Sequence, residues 1–477
     1  MSKRRWCRCT VLAAITFAGL PRAAVAADPI DAYVTAEMKR EHIPGLSLGI
    51  YRRGEIVKAQ GYGLANLELD VPVKPETIFQ SGSVGKQFAA TAIMMLVEEG
   101  KIDLEDSVTR YFDRAPDIWK PVKVKNLLSH TSGIAEYETS ARTKPGGPFY
   151  LRQDLTEDQL FDRIAAMPMD FQPGERWRYT NTNYVILGML IRRLTGKFYG
   201  DYLAERIFRP LGMNATRIIS ERDIVPNRSA GYEWVKGELK NQEWVSPTFN
   251  STADGAMYFN VPDLAKWDAA LYTEKLVKKS SLDRMWTVFA LNDGKPNPGH
   301  YGFAWTITAQ NGHRLIEHGG AWQGFTTYIG RFVDDGLTVV VLTNLDSGHA
   351  RPGKIGHAVA GLYNTSLAVP EARPIPDTEP ERTAFVRALL GKIAGGVADP
   401  QAFTPEARAF FFPDRIQEAA SLLKEQGPAT AFDLMERNDS GDEPIRTYRL
   451  KSAQGSVSIT VRFAKDGKIA GLRLAPE

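Results

Sequence analysis

Apolar and polar positions alternate along this chain with two different periods, and their order predicts its architecture. Asp31 to Glu41 reads as an amphipathic helix, broken by His42-Ile43-Pro44-Gly45. Leu46 to Tyr51 and Ile56 to Tyr62 read as two strands of a hairpin, joined around Arg52-Arg53-Gly54-Glu55. A helix-rich stretch follows, roughly residues 80 to 290. In it Ala89 to Val97 is almost wholly apolar and stops near Gly100, as a buried helix does. Leu187 to Leu194 and Asp263 to Leu271 carry helical periodicity. From Tyr301 the pattern returns to strands over Phe303–Ala309, His313–His318, Thr326–Phe332 and Leu337–Leu342. Turn signals separate them at Asn311-Gly312, Gly319-Gly320 and Asp334-Asp335-Gly336. Strands at both ends with helices between predict an α+β fold: one antiparallel sheet built from both ends of the domain, flanked by helices and carrying a helical insertion.

Pro370, Pro374, Pro376 and Pro380 mark a stiff linker, and a second unit lies beyond it. There Thr404-Pro405-Glu406 is a helix start. Val457, Ile459, Val461 and Phe463 alternate with polar residues, and Asp466-Gly467 turns the chain into Ile469 to Leu474. The division is a segment over residues 1–26, a main domain over 27–368, a proline-rich linker over 369–382 and a small accessory α+β domain over 383–477. The last shows no catalytic constellation.

Composition is that of a globular protein, with 43% hydrophobic and 24% charged residues. The first residues read as an export signal: Lys3, Arg4, Arg5 and Arg8, then an uncharged apolar run from Val11 to Leu20, too short to span a bilayer, then Ala24-Val25-Ala26. Cleavage is expected after Ala26; an uncleaved anchor is the alternative. That cut removes five basic residues (the four above and Arg22) and no acidic ones, taking the formal charge from +3 to −2. The basic balance thus belongs to the signal and offers no argument for nucleic acid as a partner. Cys7 and Cys9, the only cysteines, go with it, so the mature chain has neither disulfides nor thiol chemistry. The expectation is a periplasmic or secreted bacterial protein with no stable membrane anchor after cleavage.

Ser83 is the strongest candidate for an activated nucleophile. It stands in Ser83-Val84-Gly85-Lys86, at the first turn of the apolar helix. Residues three apart on a helix share a face, so the Lys86 amine can reach the Ser83 hydroxyl. A serine needs an adjacent base, and a lysine held in a dry site can serve as one. Two further features lie where partners are needed. Tyr179-Thr180-Asn181 directly precedes a helix, and His318-Gly319-Gly320-Ala321-Trp322 lies in the C-terminal strands.

S-x-x-K, Y-x-N and K/H-x-G, in that order, make the chain resemble the serine β-lactamase and penicillin-binding-protein-like hydrolases. The likeness is to the class C β-lactamase-related branch, which includes D-Ala-D-Ala carboxypeptidases, D-aminopeptidases and carboxylesterases. It spans roughly residues 30 to 365. Ile43-Pro44-Gly45, Leu127 to Gly133, Ala253-Asp254-Gly255-Ala256 and Val341 to Asn344 are similar as well.

The resemblance implies that Ser83 attacks a carbonyl and forms an acyl-enzyme. Lys86 and Tyr179 share proton transfer as a coupled pair, and Tyr179 activates the deacylating water. Asn181 binds a substrate amide or orients Lys86. The backbone N–H groups of Ser83 and Ala321 form an oxyanion hole, on the order of 3 kcal/mol each. His318, Gly320, Ala321 and Trp322 contribute to the substrate site, with Trp322 as a wall, and a peptide-like substrate lies along that strand. His318 stands where β-lactamases usually carry lysine. A mostly neutral imidazole binds a carboxylate more weakly, which moves the expectation toward ester or peptide hydrolysis. His130 reads as a structural loop residue. No H-E-x-x-H or cysteine pattern points to a metal, and no cofactor is implied. A Ser-His-Asp hydrolase of another fold lacks its G-x-S-x-G here. A penicillin- or muropeptide-binding protein that acylates but turns over slowly is the other reading. The expected partner is a small molecule or short peptide, such as a cell-wall fragment.

Overall fold

A computed structural model describes residues 28–346, 348–370, 372–439 and 443–476. The expected signal, its cleavage point and both cysteines lie outside the described residues. The Asp28 carboxylate caps α1 (Pro29–Arg40) by accepting from Ile30 N at 2.8 Å, and Ile30, Val34 and Met38 form its buried stripe. β1 (Gly45–Arg52) and β2 (Glu55–Asn66) make the expected hairpin, with Arg52 opposite Glu55, and β3 (Val71–Pro72) adds a short edge. The helical insertion contains α2 (Lys86–Glu98), α3 (Asn181–Thr195) and α4 (Val261–Ala270). The chain then returns as β4 (Thr306–Gln310), β5 (His313–Trp322), β6 (Phe325–Phe332) and β7 (Leu337–Thr343), followed by α5 (Pro352–Tyr363).

These seven strands form one antiparallel sheet in the order β3-β2-β1-β7-β6-β5-β4. The β1–β7 pairing, with Leu46 opposite Thr343, joins the two ends of the domain. On one face α1 and α5 pack Ile30, Val34, Ile355 and Val359 over Leu46, Leu48, Val339 and Val341. On the other, Phe88, Ile186 and Trp267 of the insertion cover Ile316, Ile329, Val340 and Leu342. Strands covered on both faces read as near-continuous apolar runs, which is why β7 is so legible.

Two expectations are corrected. Gly319-Gly320 is no turn: both residues lie inside β5, and the chain reverses at Gln323-Gly324, with Trp322 opposite Phe325. These glycines serve close approach instead. A Cβ on Gly320 would stand 2.3 Å from Ser81 O and 2.9 Å from Ser83 N. The strand expected from Phe303 starts only at Thr306, because Ala304 adopts φ +64° and takes the backbone out of the extended region.

The chain divides into two compact units between Val369 and Pro370. The second unit packs α6 (Pro380–Ala394), α7 (Pro405–Phe411) and α8 (Asp414–Gln426) with an antiparallel sheet, β8 (Ala429–Asn438), β9 (Ile445–Ser452), β10 (Gly455–Phe463) and β11 (Ile469–Pro476), in sequential order. Val457, Ile459, Val461 and Phe463 are the buried face of β10, and Thr404 caps α7 through Ala407 N. Pro380, counted with the linker above, instead opens α6 in the first helical turn, where a missing N–H costs nothing. Among the described residues no helix is long and apolar enough to cross a membrane.

Candidate active site

Ser83 sits in a tight 3-10 turn, Gly82–Gly85, that runs directly into α2. The turn is wedged against β5. Gly82 adopts φ +48°, and a Cβ there would lie 2.3 Å from Ala321 N, so only glycine fits. Thr327 Oγ1 donates to Ser81 O at 2.6 Å, and Ser81 Oγ donates to Gly255 O at 2.7 Å, tying the turn to the sheet on one side and to the 252–255 loop on the other. The backbone nitrogens of Ser83 and Ala321 thereby meet along one seam. β4 pairs with β5 only as far as Glu317, so residues 318–322 have a β-partner on the β6 side alone among the described residues.

Lys86 opens α2 and its side chain is wholly buried. Its Nζ donates to Ser83 Oγ at 2.8 Å, to Asn181 Oδ1 at 2.8 Å and to the backbone carbonyl of Asp254. Three acceptors match the three N–H bonds of an ammonium. The rings of Tyr179 and Tyr184 are centred 5.1 Å and 5.5 Å from Nζ. The Tyr179 hydroxyl is enclosed and finds no hydrogen-bond partner among the described residues. The structure thus brings the Tyr179 ring to Lys86 without a hydrogen bond between them.

Asn181 is the first residue of α3, and every polar group it offers on this side is engaged. Its N–H donates to Glu136 Oε2 and its Nδ2 to Glu138 Oε2, both at 2.6 Å, while Oδ1 accepts from Lys86. Burial, then Asp254 and Glu136, push the Glu138 carboxyl up to about 7. Burial likewise raises Glu136. Asp254 accepts from the Tyr137 hydroxyl at 3.0 Å.

His318 is buried on β5. Its Nδ1 lies 2.6 Å from Gly319 O, which can only accept, so Nδ1 carries the proton. Nε2 then accepts from the Tyr301 hydroxyl at 2.8 Å. Burial, reinforced by Lys86, lowers its pKa to about 4. The imidazole is neutral at neutral pH, with both nitrogens occupied. Ala321 and Trp322 line the cavity above Ser83, and Trp322 Nε1 donates to Asn250 Oδ1 at 2.8 Å. Gly320 stands behind them, against the Ser83 turn.

Sequence reasoning passed over three participants. Glu136 and Glu138 lie on a loop without any motif. Asp254 was visible only as part of Ala253-Asp254-Gly255-Ala256. His130 read as a loop residue; it is buried at φ +59°, accepts from Thr180 N at 3.3 Å through Nδ1, and packs its ring 4.2 Å from that of Tyr179. It positions the Tyr179 segment. Among the described residues no group of three or more His, Cys, Asp or Glu is arranged to hold a metal ion.

Comparison with known proteins agrees with this fold. The Beta-lactamase family model matches residues 30–379. Penicillin-binding protein 4* of Bacillus subtilis (strain 168) is 29% identical over 309 residues, covering 61% of this chain and 66% of that protein, so the chain spans just under two thirds of that relative's length. A D-aminopeptidase of Gluconobacter oxydans (strain 621H) is 25% identical over 421 residues, 86% of this chain and 77% of that protein. Among solved structures, a D-stereospecific amidohydrolase from Streptomyces sp. superimposes with a TM-score of 0.58 at 26% identity, over 71% of this chain and 98% of that one. The octameric penicillin-binding protein homologue from Pyrococcus abyssi has a TM-score of 0.64 at 24% identity, over 95% and 99%, and shows the shared fold. With the family match spanning the whole sheet and the helical insertion, this chain belongs to the Beta-lactamase family, a family of serine hydrolases whose members similar to it include penicillin-binding proteins and D-aminopeptidases.

Proposed function

We propose that this protein is an exported serine hydrolase that acts through an acyl-enzyme on Ser83, on an ester, an amide or a D-amino-acid peptide. The observation that carries the reading is the 2.8 Å bond between Lys86 Nζ and Ser83 Oγ at the floor of an open cavity. The other two acceptors of Lys86 are carbonyl oxygens. A neutral amine still satisfies both with its two N–H bonds and turns its lone pair to the Ser83 hydroxyl. In that state Ser83 donates to Lys86 rather than accepting from it. As Oγ attacks, its proton passes to Nζ and the carbonyl electron pair moves onto oxygen, toward the N–H groups of Ser83 and Ala321. Collapse breaks the bond to the leaving group, which takes the proton. Water then hydrolyses the Ser83 ester by the reverse path, with Tyr179 and Lys86 sharing the proton transfers.

The narrow cavity over Ser83 favours a small acyl group or a short peptide. The neutral His318 supplies no charge for a carboxylate, and the amide-cleaving relatives support an amide or peptide bond over a lactam. The test is intact-mass spectrometry of the mature protein with a fluorophosphonate and with benzylpenicillin, beside Ser83→Ala. The expected outcome is a single adduct that the variant does not form, with hydrolysis of p-nitrophenyl esters reduced on the order of 10⁴-fold or more. Undiminished turnover in the variant would sink the mechanism. A long-lived penicillin adduct without turnover would favour the slowly deacylating binding protein. Export predicts recovery from the periplasm or medium of a chain beginning at Ala27.

A further inference from the structure

The Ser83 turn is anchored through the residue that precedes it. Ser81 is fully buried, and its polar groups are engaged on two sides. Its N–H donates to Met257 O at 2.8 Å and its Oγ to Gly255 O at 2.7 Å, which ties it to the 255–257 segment. Its carbonyl accepts from Thr327 Oγ1 at 2.6 Å, which ties it to the sheet. Thr327 is buried too, and its hydroxyl has no other partner among the described residues. A β-branched side chain has few χ1 choices, so this donor is held on its target.

Thr327 stands on β6 directly opposite Gly320 on β5, so the two share one face of the sheet. A Cβ on Gly320 would lie 2.4 Å from Thr327 Oγ1 and 2.3 Å from Ser81 O. It would fill the gap that their hydrogen bond crosses. The glycine of the third motif thus leaves a path by which a hydroxyl on β6 reaches past β5 to the nucleophile turn. From Ser81 O the chain runs through one residue, Gly82, to the N–H of Ser83. Gly82 lies so close to Ala321 that a Cβ on it would stand 2.3 Å from Ala321 N. Fixing Ser81 O therefore fixes where the Ser83 N–H stands relative to the Ala321 N–H. These two donors gain most as charge develops on the attacked oxygen, so their spacing matters more in the transition state than in the bound substrate.

We infer that Thr327 is a positioning residue for acyl transfer: through Ser81 O it sets the spacing of the Ser83 and Ala321 N–H groups, and Gly320 is the opening that lets it do so. Thr327 does not line the cavity over Ser83, so it acts on the reaction only through the turn. This inference rests on the acyl-enzyme reading.

The experiment compares the full mature chain with Thr327→Val, which keeps the shape and loses the donor, and with Thr327→Ser, which keeps the donor. Release of p-nitrophenolate from p-nitrophenyl acetate with enzyme in excess separates the acylation rate constant from the binding constant. Phenylboronic acid reports the oxyanion site: Ser83 Oγ bonds to boron, its proton passes to Lys86, and boron becomes a tetrahedral anion whose oxygen faces the same two N–H groups. In Thr327→Val acylation is expected to slow on the order of 10- to 100-fold and the boronate to weaken by a similar factor, with substrate binding changed by no more than about twofold. Thr327→Ser is expected to restore most of both losses. If Thr327→Val does not fold, the smaller Thr327→Ala gives the same comparison. An unchanged acylation rate in the variants that lack the hydroxyl, equal losses in rate and binding, or a serine variant as slow as the valine one would overturn the inference while leaving Ser83 as the nucleophile. Failure of wild-type Ser83 to react with the ester and with a fluorophosphonate would instead overturn the acyl-enzyme reading, and this inference with it.

Discussion

Among the described residues of the main domain two Lys or Arg side chains, Arg331 and Lys86, are fully buried, and they are treated in opposite ways. Arg331 on β6 is fully enclosed and pairs with an equally enclosed carboxylate: its Nε donates to Asp268 Oδ1 at 2.7 Å, and Thr338 donates to the same oxygen at 2.7 Å. The rings of Tyr272 and Trp286 flank its guanidinium at 4.8 Å and 5.1 Å. Lys86 is just as buried, yet among the described residues no carboxylate forms an ion pair with it; its three acceptors are a hydroxyl and two carbonyl oxygens. A guanidinium keeps its proton in any protein and is best matched by a carboxylate. An amine among carbonyls and a hydroxyl can be satisfied with or without its third proton. The first arrangement holds a helix to a sheet; the second permits proton transfer.

The largest effect that could break this contrast comes from giving Lys86 the chemistry of Arg331. Lys86→Arg keeps the charge but cannot act as a base, so kcat/KM for an activated ester should fall on the order of 10⁴-fold while the protein still folds. Steady-state kinetics beside a thermal melt checks this, and retained turnover would mean that Lys86 is merely a structural cation. Next is the removal of the structural partner. Asp268→Ala leaves the Arg331 charge buried and unpaired and should cost about 3–5 kcal/mol in urea unfolding. The labelling rate of Ser83 in the folded fraction should barely move, because Asp268 touches none of the site residues.

His318 sharpens the contrast with a smaller effect. It is a third buried base, one that fixed bonds keep neutral. Its folded-state pKa, about 4, lies below the ordinary 6.5, so the stabilising contribution of the neutral ring is complete above pH 6.5 and is lost as pH falls through 4. The stability of the wild type minus that of His318→Gln should decline across that window by on the order of 3 kcal/mol. A difference flat with pH would show that the ring gains no proton there.

The sheet was legible from residue patterns because its strands obey simple periods. β1, β6 and β7 lie within a few residues of their expected bounds, since strands covered on both faces must be apolar throughout; β2, largely exposed, was legible as the other half of the hairpin. Legibility failed where a residue served something distant in sequence. Gly319-Gly320 looks like a turn in any local window, and only the Ser83 turn pressed against β5 explains why two glycines sit inside a strand. Ala304 delays the start of its strand for the same kind of reason: Phe303 and Trp305 are drawn into the core of the helical insertion. In the second unit the apolar alternation of β10 stood out, whereas β8, exposed at both ends, and β9, whose buried face includes Arg446, did not.

At the site, the Ser83–Lys86 relation followed from helix geometry alone, because three residues of a helix bring two side chains onto one face whatever surrounds them. The Tyr179-Asn181 and His318-Gly320 segments were legible only as short patterns, and their meeting with Ser83 depended on the fold. Glu136 and Glu138 had no local signal at all, and Asp254 none beyond the stretch Ala253 to Ala256. Charged residues on loops usually face water, and nothing in the order of amino acids says that two of them, Glu136 and Glu138, converge on one asparagine. The sequence determined the Ser83–Lys86 pair and the α+β plan, which rest on short-range geometry and periodic burial. The tertiary structure decided the charge of the pocket, the tautomer of His318 and the uncharged acceptors of Lys86, because each depends on groups far apart in the chain that only packing brings within hydrogen-bonding distance.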